Sequence, residues 1–146
     1  MKKFFLVALT LFVALSNVNA DERDRVITKE QLPAAAQTLL ATHFSNLKIS
    51  LVKEDREFIS RNYEVIFADG TKVEFTRNGE WKEVDCRRNA VPAALIPAEI
   101  KNFVAERYPD AKIIQIDRDS NDYEVKLSNK LELTFDKKFN IIDIDD

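Results

Sequence analysis

The sequence predicts an α+β fold in which two tandem units, each a helix followed by antiparallel strands, form one shared sheet with both helices packed on one face. Three observations predict it. The chain repeats itself, each copy opens with apolar residues at helical spacing, and each continues with apolar and polar residues alternating with period two.

The repeat sets the order of elements. Residues 32–55 align without gaps to residues 96–119 at an offset of 64, matching Pro33 to Pro97, Ala41 to Ala105 and Phe44 to Tyr108. Tyr63-Glu64-Val65 recurs as Tyr123-Glu124-Val125 at an offset of 60, and residues 73–86 align with 131–144 at an offset of 58. In the first copy Pro33 suits the opening turn of a helix, after which Ala36, Leu39, Leu40 and Phe44 form one apolar stripe. In the second, Pro97 precedes Ile100, Phe103, Val104 and Tyr108 at the same spacing. Upstream, Thr28 and Gln31 have the spacing of a capping box, which predicts a short extra turn.

Strands follow each helix. Lys48 to Val52 and Lys112 to Ile116 are read as the first of each set. Tyr63, Val65 and Phe67 then alternate with Glu64 and Ile66, as Tyr123, Val125 and Leu127 alternate with Glu124 and Lys126. Val73, Phe75, Leu131, Leu133 and Phe135 are predicted to point inward, leaving Glu74, Thr76, Glu132 and Thr134 outside. Asp69-Gly70 and Asn78-Gly79 are hairpin signals. The second copy has Asn129-Lys130 and Asp136-Lys137 at its turns, without glycine. The connection from Arg87 to Leu95 is short and contains Pro92, so the units 21–88 and 89–146 are expected to pack as one body.

Residues 1–20 read differently. Lys2 and Lys3 precede an apolar run from Phe4 to Leu15, and Val18-Asn19-Ala20 ends in small residues, the pattern of a secretory signal cleaved after Ala20. The run is shorter than the roughly 20 residues that span a bilayer, so no membrane insertion is expected after cleavage, and the mature chain is expected in the periplasm or secreted. Cleavage removes two lysines and no acid from a chain of net charge −3, leaving it more acidic.

Composition narrows the chemistry. Of 146 residues, 45% are hydrophobic and 32% charged, as in a folded protein with an ordinary core. The negative charge offers no field for nucleic acid, one Cys cannot close an intrachain disulfide, and one His cannot build a His-rich metal site. Two glycines leave no phosphate-binding loop. His43 and Cys86 have no nucleophile motif around them, and His43 is read as a surface helix residue and Cys86 as a buried apolar side chain. Asp117-Arg118-Asp119-Ser120-Asn121 starts like a calcium loop, but Asp122 stands where the turn needs Gly and Ser128 where a Glu ligand is needed, so a loop between strands is favoured. No catalytic residue, cofactor or metal ligand is predicted. Acids on adjacent strands leave glycoside hydrolysis formally open, and two convergent carboxyls of perturbed pKa would favour it.

Taken in order, Leu-Pro at each helix start, Phe44 or Tyr108-Pro109 at its end, Tyr-Glu-Val, a turn, Val-Glu-Phe or Leu-Glu-Leu, and Trp81-Lys82-Glu83-Val84-Asp85 form a pattern. It resembles the PepSY-like, β-lactamase-inhibitor-protein-like family of exported bacterial proteins, over about residues 26–146. The resemblance implies a tandem helix-plus-sheet fold, a periplasmic or secreted location and a protein-binding or inhibitory role exerted through the exposed sheet face. Carried over by position, that face would hold Glu64, Ile66, Glu74, Thr76, Glu124, Lys126, Glu132 and Thr134. Trp81, with Phe139 as its counterpart, is placed at the border as a candidate anchor, although a core position is favoured for so large an aromatic. The predicted function is an exported, non-enzymatic protein-binding module that blocks an envelope or secreted enzyme. The alternative is a periplasmic protein that binds a small ligand or metal ion.

Overall fold

The computed structural model describes residues 24–56 and 60–146; the predicted signal over 1–20 lies outside them. Among the described residues the strands are β1 (Asp24–Val26), β2 (Ile49–Arg56), β3 (Arg61–Phe67), β4 (Lys72–Phe75), β5 (Trp81–Asp85), β6 (Ile113–Arg118), β7 (Asp122–Leu127), β8 (Glu132–Asp136) and β9 (Ile141–Asp145). They form one sheet in chain order, each antiparallel to the next. Helix α1 (Ala34–His43) connects β1 to β2, and α2 (Ala98–Arg107) connects β5 to β6.

Pro33 and Pro97 sit at the N-caps, one residue before the helices they were expected to open. Both positions need no backbone N–H, since the first turn leaves it without an intrahelical acceptor. The Thr28–Gln31 pair builds the anticipated extra turn, a 3₁₀ turn over Lys29–Gln31 in which the Thr28 N–H donates to Gln31 Oε1 at 2.9 Å.

A row of aliphatic side chains, one from each of eight strands, runs through the core, its last member, on β9, left exposed. Val52, Val65, Val73, Val84, Ile116, Val125, Leu133 and Ile144 stand opposite one another in succession. Direct cross-strand partners share a face, so this row fixes which side of the sheet is apolar. Ala36 and Leu40 of α1 and Ile100 and Val104 of α2 join the same cluster, placing both helices on that side. Phe103 meets Phe135 edge-on with ring centroids 5.2 Å apart, and Phe44 lies 5.5 Å from Phe67.

At one edge, Glu54 is buried at 4% exposure, with Arg25, Arg56 and Arg61 within 3.0–3.3 Å of its carboxylate. A buried carboxylate is stable only when paired, and Arg25 belongs to β1, so this charge ties the three-residue edge strand to β2. β1 was not anticipated from the sequence, because three residues reading Asp-Arg-Val show no alternation.

The hairpins correct the spacing read for the last strands. Tyr63 pairs with Phe75 and Tyr123 with Phe135, while Phe75 pairs with Trp81 and Phe135 with Ile141, so equivalent positions are 60 residues apart, not 58. The counterpart of Trp81 is therefore Ile141, and Phe139 corresponds to Gly79. Gly70 and Gly79 have φ of 90° and 85°; Lys130 and Phe139 take up the same left-handed conformation at 75° and 65°. That conformation costs a non-glycine residue roughly 1–2 kcal/mol. Around Phe139 it is offset by Asp136 Oδ1, which accepts the N–H of Lys138 and of Asn140 at 2.9 Å each, and by the Phe139 ring stacked on Tyr123.

Candidate functional site: the open sheet face

The face turned away from the helices carries a second row, parallel to the aliphatic one. Lys53 stands opposite Glu64, Glu64 opposite Glu74, Glu74 opposite Glu83, Glu83 opposite Asp117 and Asp117 opposite Glu124, and the row continues through Thr134 to Asp143. Five adjacent strands thus each contribute one carboxylate to a single line. Like charges directly opposite are destabilising, so this arrangement acts against the fold.

Few groups offset it. Lys72 Nζ reaches Glu83 at 3.4 Å and Glu74 at 3.8 Å, and Gln115 Nε2 donates to Glu83 Oε1 at 3.1 Å and Asp117 Oδ2 at 3.2 Å. Burial works to lower the Lys72 pKa, but Glu83, Glu74 and Glu64 together hold it above its ordinary value. The carboxyls respond in the opposite sense. Partial burial, then the hydrogen bond with Glu83 and its charge, raises Glu74 to about 6; burial and the Glu83 charge raise Asp117 to about 6. Glu124 is also raised, by burial and by Asp122, Glu132 and Asp119. A cavity of about 260 Å³ opens here, its lining including Glu74, Lys82, Glu83, Asp117 and Glu124.

The predicted positions divide as follows. Glu64, Glu74 and Glu124 lie in the acidic row and Thr134 extends it. Ile66, Lys126 and Glu132 lie in the neighbouring row on the same face, where Ile66 pairs with Lys72 and Lys126 bonds Glu132 at 3.4 Å. Thr76 falls just past β4, half-buried in the hairpin turn, its Oγ1 accepting the Glu80 N–H at 3.3 Å. Trp81 is not at the border of this face. It is buried at 6% exposure on the helix side, opposite Phe75, with the Arg118 guanidinium 3.8 Å above its ring and Arg118 Nε donating to its carbonyl at 2.8 Å. Two large surfaces are thereby satisfied at once, apolar ring and cation.

Glu83 and Asp117, the middle of the row, were missed. A bulge at Lys82 puts both Trp81 and Val84 on the inner face, which breaks the alternation from which Glu83 would be placed. Asp117 was read as the start of a loop, whereas β6 runs on to Arg118 and the turn begins at Asp119, whose Oδ1 accepts the N–H of Asn121 and Asp122. Those two bonds lower the Asp119 pKa. Cys86 is buried, as expected, and burial, with Asp85 and Asp69 nearby, pushes its thiol up to about 11. His43 is half-buried at the end of α1.

The model of a family described as "putative beta-lactamase-inhibitor-like, PepSY-like" matches residues 61–143. The chain belongs to the PepSY-like family. A "putative calcium-regulated periplasmic protein" from Bacteroides thetaiotaomicron is 52% identical to this PepSY-like chain, covering 87% of it and 99% of its own length at a TM-score of 0.84. Two "putative periplasmic" proteins from Bacteroides vulgatus are 48% and 34% identical, covering 86% and 84% of this chain and 98% and 99% of their own, at TM-scores of 0.84 and 0.80. Among curated proteins none matches. No helix among the described residues is long and apolar enough to cross a membrane.

Proposed function

We propose that this PepSY-like protein is an exported, non-enzymatic module of two tandem helix-plus-four-strand units that captures another protein on its open sheet face. The captured protein is an envelope or secreted enzyme presenting a basic surface, and capture inhibits it by occlusion. The observation that carries this is the acidic row. Carboxylates lined up against their own repulsion weaken the fold, and a cationic partner is what makes the arrangement favourable. The inhibitor-like family description and the relatives described as periplasmic support it; export itself rests on residues 1–20. A standard interface buries roughly 800 Å² per partner, within reach of a face nine strands wide.

The test immobilises residues 21–146 and their Glu74→Lys/Asp117→Lys variant against the envelope and secreted fractions of the producing cell. An enzyme retained at one-to-one stoichiometry, inhibited when bound, released by salt and lost with the variant supports the proposal. Retention unchanged by the double reversal places the interface elsewhere.

The raised carboxyls also meet the condition set above for hydrolysis. Burial beside a like charge raises both without any substrate, so the non-enzymatic reading stands unless the purified chain turns over a glycoside with loss of activity in Glu74→Gln. Calcium is a poorer fit. It takes 6–8 oxygens converging on one point at 2.3–2.6 Å. Among the described residues no three His, Cys, Asp or Glu side chains are grouped to hold a metal ion.

A further inference from the structure

The two ends of the sheet differ in how they are closed. At the seam between the halves, β5 docks on β6 through Glu83 opposite Asp117, Val84 opposite Ile116 and Asp85 opposite Gln115. At the first edge, β1 docks on β2 in the equivalent register: Val26 lies opposite Lys53, which is 64 residues before Asp117, and the Ile27 N–H donates to the Val52 carbonyl at 3.0 Å. At the other edge, β9 pairs with β8 as β5 pairs with β4, including the bulge, and no described strand pairs with its far side. Of the three large apolar residues left exposed among the described residues, two are on this strand, Ile142 at 59% and Ile144 at 45%. Ile144 ends the aliphatic core row, in the place where Val84 is fully enclosed by the next strand.

We propose that the free edge of β9 takes up one extended segment of a partner protein, antiparallel, as β5 takes up β6. An aliphatic residue of the segment covers Ile144, and lysine or arginine at the two flanking alternate positions faces Asp143 and Asp145. Backbone hydrogen bonding supplies affinity and the alternation supplies selectivity, the general mode of strand addition. The same aspartates, with Asp146 beyond them, repel a second copy of this strand, so the edge rejects its own kind while accepting a basic one. The free edge of β9 borders the open face, since Asp143 ends the acidic row there, but strand addition to its backbone does not depend on the capture proposed for the middle of that face.

The probe follows from the seam. A peptide of residues 112–118, Lys-Ile-Ile-Gln-Ile-Asp-Arg, already fits a β5-type edge, and Gln115→Lys with Asp117→Lys turns the two positions that would face Asp145 and Asp143 basic. Titrated into isotope-labelled residues 21–146, it is expected to shift the amides of 141–146, to bind more tightly than a scrambled peptide of the same composition, and to lose at least about tenfold in affinity with Asp143→Lys/Asp145→Lys. Those variants replace exposed groups, and an unchanged melting curve certifies their fold. Equal binding by the scrambled peptide with shifts along the Glu64–Glu124 row, no binding at all, or a dimer of the free protein built on β9 would each overturn the proposal. The first of these leaves the open-face reading standing, and loss of open-face capture leaves this one standing.

Discussion

Two rows cross the same sheet one residue apart, and they obey opposite rules. Val65, Val73, Val84 and Ile116 are fully enclosed, while Glu64, Glu74, Glu83 and Asp117, their chain neighbours, share one lysine and one glutamine between them. The first row is what any two-layer fold needs. The second has no structural use, since a sheet wet on one face is served equally well by Thr, Lys and Glu in alternation. The difference separates residues that make the fold from residues that the fold carries.

That separation can be broken most forcefully from the inner side. Phe75→Ala or Phe135→Ala removes a fully buried ring and is expected to cost about 3–5 kcal/mol in urea unfolding. Glu83→Ala, in the adjoining row, is expected to be neutral or stabilising. Equal losses would mean that the acidic row is part of the structural core after all.

A second expectation concerns pH. Glu74 and Asp117 have folded-state pKa values of about 6, above their ordinary 4.5 and 3.8, so the folded chain binds protons that the unfolded chain has released. Stability must then rise as pH falls from about 6.5 towards 4.5. Asp119 and Asp136, whose pKa values are lowered, act in the opposite sense but only below their ordinary 3.8. A melting temperature higher by a few degrees at pH 5 than at pH 7 is expected, while capture of a basic partner weakens over the same interval. The double variant Glu74→Gln/Asp117→Asn should flatten the stability profile; a profile that stays steep assigns the effect to other groups.

The smallest effect is ionic. Calcium and magnesium at equal ionic strength should stabilise the protein equally and slightly, by screening. A shift specific to calcium at micromolar concentration would reveal a site that the described geometry does not form.

Much of the fold was legible because its periodicities are strong. The stripes on α1 and α2 and the alternation along β3 and β7 place both layers without reference to anything distant. What the sequence hid were the departures from period. The bulge at Lys82 concealed Glu83, the extension of β6 concealed Asp117, and the absence of glycine at Lys130 and Phe139 displaced the alignment by two residues, because the left-handed backbone at Phe139 is supported by stacking and by Asp136 instead of by residue type. Trp81 was offered for the border although its size favoured the core, and the pairing with Phe75 decides for the core.

Cys86 lies at the end of the seam between β5 and β6, its N–H donating to the Ile114 carbonyl at 2.9 Å, and it is the single cysteine of the chain. The thiol itself is buried in the core cluster, and its raised pKa keeps the sulfur protonated. A thiol reagent can modify it only in moments when this burial is lifted, so labelling kinetics in the native protein count those openings directly. The molecule carries its own clock for the opening of its core beside β5, readable by mass spectrometry without introducing any foreign group beforehand.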